Sequence, residues 1–295
     1  MNRNAAPPVP PASLRIGFIG AGKVGFSMGK FFAQGGLDVS GYYSRSVESA
    51  REAAAFTNSA CFQTLPEIVA SSDALFITVP DGAIADVYRQ LREYDLAGKQ
   101  ICHCSGSLSA AEVFPDLAQA GATGYSLHPL FPVSSKMESY KELPGAFFCI
   151  EGSAQHLEEW KQRIEALGPT VQVIPSEAKK RYHAACVMPS NLVCALVQQS
   201  LDMLVSCGFS EDMALSAITP LVRANMDHII EHGPVEALTG PIERNDVATV
   251  EAHLRCFESA TERELYQAVS RKLVEVAQRR HPDADYTRML ETLNA

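Results

Sequence analysis

The run Leu14–Gly29, LRIGFIGAGKVGFSMG, constrains this chain more than any other segment. A short apolar strand passes directly into Gly20-Ala21-Gly22-Lys23-Val24-Gly25, a G-x-G-x-x-G turn, and then into a helical pattern. Each glycine meets a separate physical need in that setting. Gly20 allows a sharp turn off the strand, Gly22 lets an anionic group approach the backbone, and Gly25 lets the helix pack close to the strand. Free N–H groups and the dipole at the helix start favour phosphate. The arrangement predicts a dinucleotide site built on residues 20–25.

The next strand is expected over Asp38–Tyr43, after a helix from Val24 to about Gln34 that Gly35-Gly36 ends. An NAD enzyme places Asp or Glu at the tip of this strand to accept from the ribose 2′-OH. Here the tip reads Ser44-Arg45-Ser46, with no carboxylate before Glu48. Arg45 can stack on adenine and pair with a 2′-phosphate, and Ser44 and Ser46 can donate to it. The pattern favours NADP over NAD. Ser46 also fits the N-cap of a following helix.

Before about residue 175, strand patterns alternate with helical ones. Ala74–Val79 is a continuous apolar run of the kind found in buried parallel strands, and Gln100–Cys104, Thr123–Ser126, Ala146–Ile150 and Val171–Ile174 are shorter candidates. Helices are expected over Ala83–Leu91, Ala110–Ala120 and Ala154–Leu167. This alternation predicts an α/β fold with a doubly wound, mostly parallel sheet. Beyond Pro175 strand signals almost vanish, and Glu177–Cys207, Ser210–His232, Val247–Phe257, Thr261–Arg280 and a tail from about Asp285 read as helices. Three regions follow: a proline- and alanine-rich tail over 1–13, expected to be disordered, a nucleotide-binding domain over 14–175, and an all-α domain over 176–295.

A net charge of −9 and the lack of a basic stripe argue against a nucleic-acid partner. No apolar run is read as a membrane span, and the eight scattered cysteines fit a reduced, cytoplasmic setting. Cys102-His103-Cys104 lacks the usual zinc spacing, so it is read as core packing, and no metal site is expected.

Ligands of open α/β sheets bind beyond the carboxyl ends of the strands. One strand ends in Val79-Pro80-Asp81, placing Val79 and Pro80 against the cofactor and Asp81 near its nicotinamide half, or as the cap of the next helix. Another ends in His103-Cys104-Ser105-Gly106-Ser107, where Ser105 can hydrogen-bond nicotinamide or substrate, or Ser107 or Ser109 can cap a helix. The candidate Thr123–Ser126 ends just before His128, which precedes Pro129 and is therefore held extended, able to donate to a carbonyl or carboxylate.

Taken with the runs SLHPLFP, YHAACVMPSNLVCAL and LTGPIERNDVATVEAHL, these pieces resemble a family of NADP-dependent oxidoreductases assigned by sequence, with a Rossmann-like N-terminal domain and a C-terminal helical domain of unknown function. More distantly the layout is similar to 3-hydroxyisobutyrate dehydrogenases, ketopantoate reductases and pyrroline-5-carboxylate reductases. Those relatives imply a cofactor cleft, a helical substrate domain and a homodimer formed through that domain.

In the hydroxyacid dehydrogenase relatives one helix presents a catalytic lysine with an asparagine one turn on. Here Val187 precedes Asn191 by one turn, His183 by two, and Lys179 and Lys180 lie three turns back. His183, Val187 and Asn191 are expected on one helix face, with Pro189 freeing a backbone carbonyl. In the polar turn Leu238–Asp246, the resemblance makes Thr239 and Arg244 substrate-facing, while Asp246 fits a helix N-cap. The sequence thus points to hydride transfer to or from a small polar carbonyl, hydroxy or imine compound. His128 or His183 would donate the proton, and Asn191 and Ser105 would orient the substrate. A non-catalytic NADP(H)-binding redox sensor or scaffold is the alternative, because the relatives' lysine is missing.

Overall fold

The computed structural model describes residues 14–295; the expected tail over 1–13 lies outside the described residues. The chain divides into two compact units between Pro189 and Ser190.

In the first unit, β1 (Ile16–Ile19) leads into α1 (Lys23–Gln34) and β2 (Val39–Tyr43). There follow α2 (Val47–Thr57), β3 (Ala60–Cys61), α3 (Leu65–Ser71), β4 (Ala74–Ile77), α4 (Asp81–Leu91), β5 (Gln100–His103) and α5 (Ala110–Val113). The unit closes with β6 (Thr123–Leu130), β7 (Phe147–Gly152), α6 (Leu157–Glu165), β8 (Thr170–Val173) and α7 (Lys179–Val187). The eight strands form one sheet in the order β3-β2-β1-β4-β5-β6-β7-β8. Every neighbouring pair is parallel except β6 and β7. The strand order reverses between β1 and β4, so a crevice opens there at the carboxyl ends.

β1 and β4 are buried on both faces, and their alternation divides the core. Phe18 and Phe76 point to one side, where Phe18 stacks on Tyr42 at 5.2 Å and Phe76 meets Trp160 edge-on at 5.3 Å. Ile19 and Ile77 point to the other, among Ile84, Tyr88 and Ile101.

The second unit is helical: α8 (Asn191–Ser206), α9 (Glu211–Ala237), α10 (Val247–Cys256), α11 (Ala260–Arg280) and α12 (Thr287–Asn294). Val250, Leu254, Val274, Tyr286 and Met289 form its core. Asp246 caps α10 by accepting from the Thr249 N–H at 3.1 Å. Gly233, at φ 78° and ψ 162°, interrupts the helical geometry of α9 where the sequence pattern predicts its end.

Five expectations need correction. The single helix predicted over Glu177–Cys207 is two, α7 and α8, because Pro189 cannot donate to the helical ladder. His183 and Asn191 therefore stand on separate helices. α7 also belongs to the first unit, not to the helical domain beginning at 176, since Lys179 is buried there and Tyr182 bonds to β6. The helix predicted over Ala110–Ala120 stops at Val113, ahead of Pro115 and Asp116, which adopts φ 59°. The strand predicted over Thr123–Ser126 continues to Leu130 because β7 pairs with it antiparallel, so His128 lies inside β6 opposite Cys149. Finally, Ser176–Ser206 is long and apolar enough to cross a membrane by length and composition, with mean hydropathy 1.3, although the break at Pro189 divides it.

Candidate functional site

In the glycine turn, Gly20 and Gly25 meet the two backbone needs expected of them. Gly20 sits at φ +108°, and a Cβ there would lie 2.7 Å from the Thr78 carbonyl oxygen. A Cβ on Gly25 would lie 2.4 Å from the Gly20 oxygen. Thr78 Oγ1 donates to that same oxygen at 2.8 Å, tying the turn to the end of β4. Gly22 differs from both: a Cβ there would meet nothing within 4 Å. Gly22 is also the N-cap of α1 and offers no side-chain acceptor to its first N–H groups. The open face of the turn is thus a set of oriented donors without a local partner, which suits phosphate.

A cavity of about 460 Å³ adjoins this turn. Gly20, Ala21 and Gly22 form one wall, Ser44 and Arg45 another, and Val79 and Pro80 a third, with Tyr43, Leu65 and Val87 supplying apolar surface. Lys136, Ser49 and Thr78 also line it, and the sequence carried no motif that singles them out. Lys23, Val24 and Gly25 occupy the first turn of α1 and do not line the cavity. Ser46 lies outside it too, and its hydroxyl caps α2 by accepting from the Ser49 N–H at 3.2 Å. These residues fit an NADP-type nucleotide: oriented N–H donors for a pyrophosphate, apolar walls for a base, and a guanidinium at the tip of β2.

Further along the strand ends, Asp81 opens α4 behind Pro80, its N-cap, and makes no capping bond. Its carboxylate instead accepts from Ser105 Oγ at 2.7 Å and Ser107 Oγ at 3.0 Å. The expectation of Asp81 as a cap is therefore corrected. Ser105 is buried and fully engaged: its oxygen also accepts from the Ser107 and Leu108 N–H groups. Ser109 caps α5 in a reciprocal box with Glu112. His103 is buried and accepts from the Ser105 N–H at Nδ1, and burial, with the nearby Lys179 charge, pushes its pKa down to about 3. Among the described residues no group of three or more His, Cys, Asp or Glu side chains is placed to hold a metal.

His128 lies beside α7. Its Nδ1 is 2.8 Å from the Tyr182 hydroxyl, and its ring meets that of His183 at 6.3 Å. Gly106 adjoins both histidines: a Cβ there would fall 2.8 Å from His128 Nε2 and 2.6 Å from His183 Cδ2. Burial pushes the His128 pKa down to about 4, aided by the Lys179 charge and His183. Lys179 has 0 % relative exposure, and its ammonium has no hydrogen-bond partner among the described residues. Burial lowers its pKa, opposed by Cys149 and Glu151. Sequence reasoning set Lys179 aside for its distance from Asn191 and passed over Tyr182. The signal was there in Lys179, Tyr182 and His183, whose spacing of three and four places them on one helix face.

In the second unit Asn191 is the first residue of α8 and accepts from Ser190 Oγ at 3.0 Å. Thr239 and Arg244 are exposed on the turn before α10. That turn is tied to the chain's end by Arg280, which donates to the Leu238 carbonyl, and by Asn245, which donates to the Asp285 carbonyl.

Residues 2–129 match a Rossmann-like domain, and residues 146–273 match a domain of unknown function, DUF2520. No curated protein matches the sequence. Among solved structures, protein TM1727 from Thermotoga maritima is 29% identical, covering 90% of this chain and 99% of its own, with a TM-score of 0.72. An imine reductase from Myxococcus stipitatus, in complex with NADP+, is 18% identical over 95% of this chain and 100% of its own, at a TM-score of 0.61. A reductive aminase from Aspergillus terreus, in complex with NADPH and ethyl-5-oxohexanoate, is 16% identical over 95% of this chain and 92% of its own, at 0.58. At those identities the last two share the fold.

Proposed function

We propose that this chain, a Rossmann-like domain followed by a DUF2520 domain, is an NADP-dependent oxidoreductase that transfers a hydride between nicotinamide and a small polar carbonyl, hydroxy or imine compound. One observation carries the reading: the open, uncapped start of α1 and Arg45 line the same cavity, at the switch point of the sheet. The NADP+ and NADPH complexes of the imine reductase and reductive aminase support it.

The cofactor supplies the hydride chemistry when bound. The chain's own residues do the rest. The free N–H groups at the start of α1 hold the pyrophosphate, Ser44 and Arg45 hold the 2′-phosphate, and Val79 and Pro80 pack against the nucleotide. Asp81, with Ser105 and Ser107, keeps the ends of β4 and β5 in register beneath the reacting atoms. His128 or His183 furnishes the proton, and Asn191, Thr239 and Arg244 are assigned to the substrate. A homodimer through α8 and α9 accords with the exposure of Leu196 and Leu221 and with the absence of any buried residue on α8. A cytoplasmic setting accords with eight cysteines that form no disulfide.

The test is a titration with NADPH, NADP+, NADH and NAD+, comparing the wild type with Arg45→Ala. Tight NADPH binding that Arg45→Ala weakens, with NADH unaffected, supports the assignment. Binding of none of the four overturns it. NADPH binding without turnover across a panel of small carbonyl and imine compounds would favour the redox-sensor alternative.

A further inference from the structure

We infer that Tyr182 is the positioning residue for His128, donating its hydroxyl hydrogen to Nδ1 so that a neutral imidazole presents its Nε2–H toward Gly106 at the end of β5. The inference deepens the reading of His128 as a group at the reacting centre and rests on it.

The geometry is specific. The Tyr182 oxygen lies 2.8 Å from His128 Nδ1, and the two rings stand almost perpendicular, at 85°. The phenol keeps its proton, because burial raises its pKa well above the ordinary value. Cys149 and Cys186 adjoin the same hydroxyl, so three atoms compete for one hydrogen. An imidazole nitrogen is a much better acceptor than a thiol sulfur, so the hydrogen goes to Nδ1. The neutral ring then carries its own proton on Nε2.

Nε2 lies on the Gly106 side of the ring. The space a Cβ would fill there, 2.8 Å from Nε2, is left clear because residue 106 is glycine. That donor is at the strand end next to the Asp81–Ser105 pair, where the sheet delivers chemistry.

The groups facing His128 act against its protonation. Lys179 and His183 from α7 disfavour an imidazolium; Asp81 from α4 favours one, but is the weaker influence. His128 therefore works as a neutral hydrogen-bond donor to a substrate oxygen or nitrogen, polarising it while charge develops, and of the two histidines His183 is left to furnish the proton. An imidazolium would be a stronger acid, but it would have to exist beside the buried Lys179 ammonium, which lies over the Tyr182 ring and has no hydrogen-bond partner among the described residues.

The experiment uses the full chain without nucleotide, labelled with ¹⁵N-histidine, and long-range ¹H–¹⁵N correlation spectra from pH 5 to pH 8. His128→Gln supplies the assignment. The expected wild-type signal is a single Nε2–H tautomer that stays neutral down to pH 5. Tyr182→Phe removes the donor to Nδ1, so the signal should become a tautomer mixture and the titration should move upward by roughly half to one pH unit. An Nδ1–H tautomer in the wild type, or protonation in the ordinary histidine range, overturns the inference. So does a folded Tyr182→Phe protein with an unchanged spectrum. The wild-type tautomer decides the question even if that variant does not fold. Failure to bind any nucleotide would count against the cofactor reading and would leave the tautomer result standing.

Discussion

The Asp81 carboxylate accepts from Ser105 Oγ at 2.7 Å, joining the first turn of α4 to the loop after β5 across 24 residues. Ser105 in turn accepts from two backbone N–H groups. A buried hydroxyl with this many partners leaves donors and an acceptor unsatisfied when it is removed. Ser105→Ala should destabilise the protein by about 1–3 kcal/mol. Denaturant midpoints at constant m-value measure this, and an unchanged midpoint would show that the network contributes little.

Gly20 and Gly22 should fail in different ways. Gly20→Ala forces a Cβ against the Thr78 carbonyl from a left-handed backbone, so thermal stability should drop. Gly22→Ala places its methyl in open space, so the melting temperature should stay near that of the wild type while NADPH affinity falls roughly tenfold or more. Equal effects of both substitutions on stability would contradict this division.

Stability should decline as the solution is acidified from pH 6.5 to pH 5. In that window the unfolded His103 takes up a proton that the folded ring, with a pKa near 3 from burial and the Lys179 charge, does not bind. A depressed histidine pKa therefore stabilises the fold above the unfolded value and loses that contribution as pH falls toward the folded one. The slope for one such group approaches about 1.4 kcal/mol per pH unit. Urea midpoints across this range check it, and His103→Gln should flatten the profile.

Lys179 carries a buried ammonium that no hydrogen bond compensates. Lys179→Met keeps the length and removes the desolvated charge, so the variant should melt at the wild-type temperature or above it. It should also let His128 titrate closer to the ordinary range, since the Lys179 charge is second only to burial in lowering it. A marked loss of stability would mean that the ammonium is compensated after all.

Leu196 and Leu221 are exposed at 39% and 69%, and both line an apolar groove of about 660 Å³ between α8 and α9. If copies of the chain pair through this face, a Leu196→Glu, Leu221→Glu double variant should sediment as a 32.0 kDa monomer while the wild type sediments as a dimer. A monomeric wild type would overturn the dimer proposal.

The glycine turn was readable in the sequence because its determinants are local. Gly20, Gly22 and Gly25 are set by what the backbone must do within six residues: Gly20 takes a positive φ, Gly25 packs close to the turn, and Gly22 faces open space. Arg45 at the tip of β2 follows from the same local logic, as does the alternation that builds the parallel sheet. Helix ends were readable where a capping side chain stands, as at Asp246, but the breaks at Pro115 and Pro189 were read through.

The chemical end of the site was not readable in this way. His128 was expected just past a strand end, but β7 pairs antiparallel alongside and carries β6 on to Leu130. Its partner Tyr182 is 54 residues away. Lys179 looks like any surface lysine until packing buries it beside residues from β5 and β7. Asp81 was expected to cap a helix, and tertiary structure gave it two serines instead. The sequence by itself determined the glycine turn and the strand and helix alternation, because those depend on backbone conformation and short-range periodicity. Tertiary structure alone decided which polar groups are buried, which pair across the sheet and how their protons are held. Desolvation and hydrogen bonding depend on neighbours that are remote in the chain.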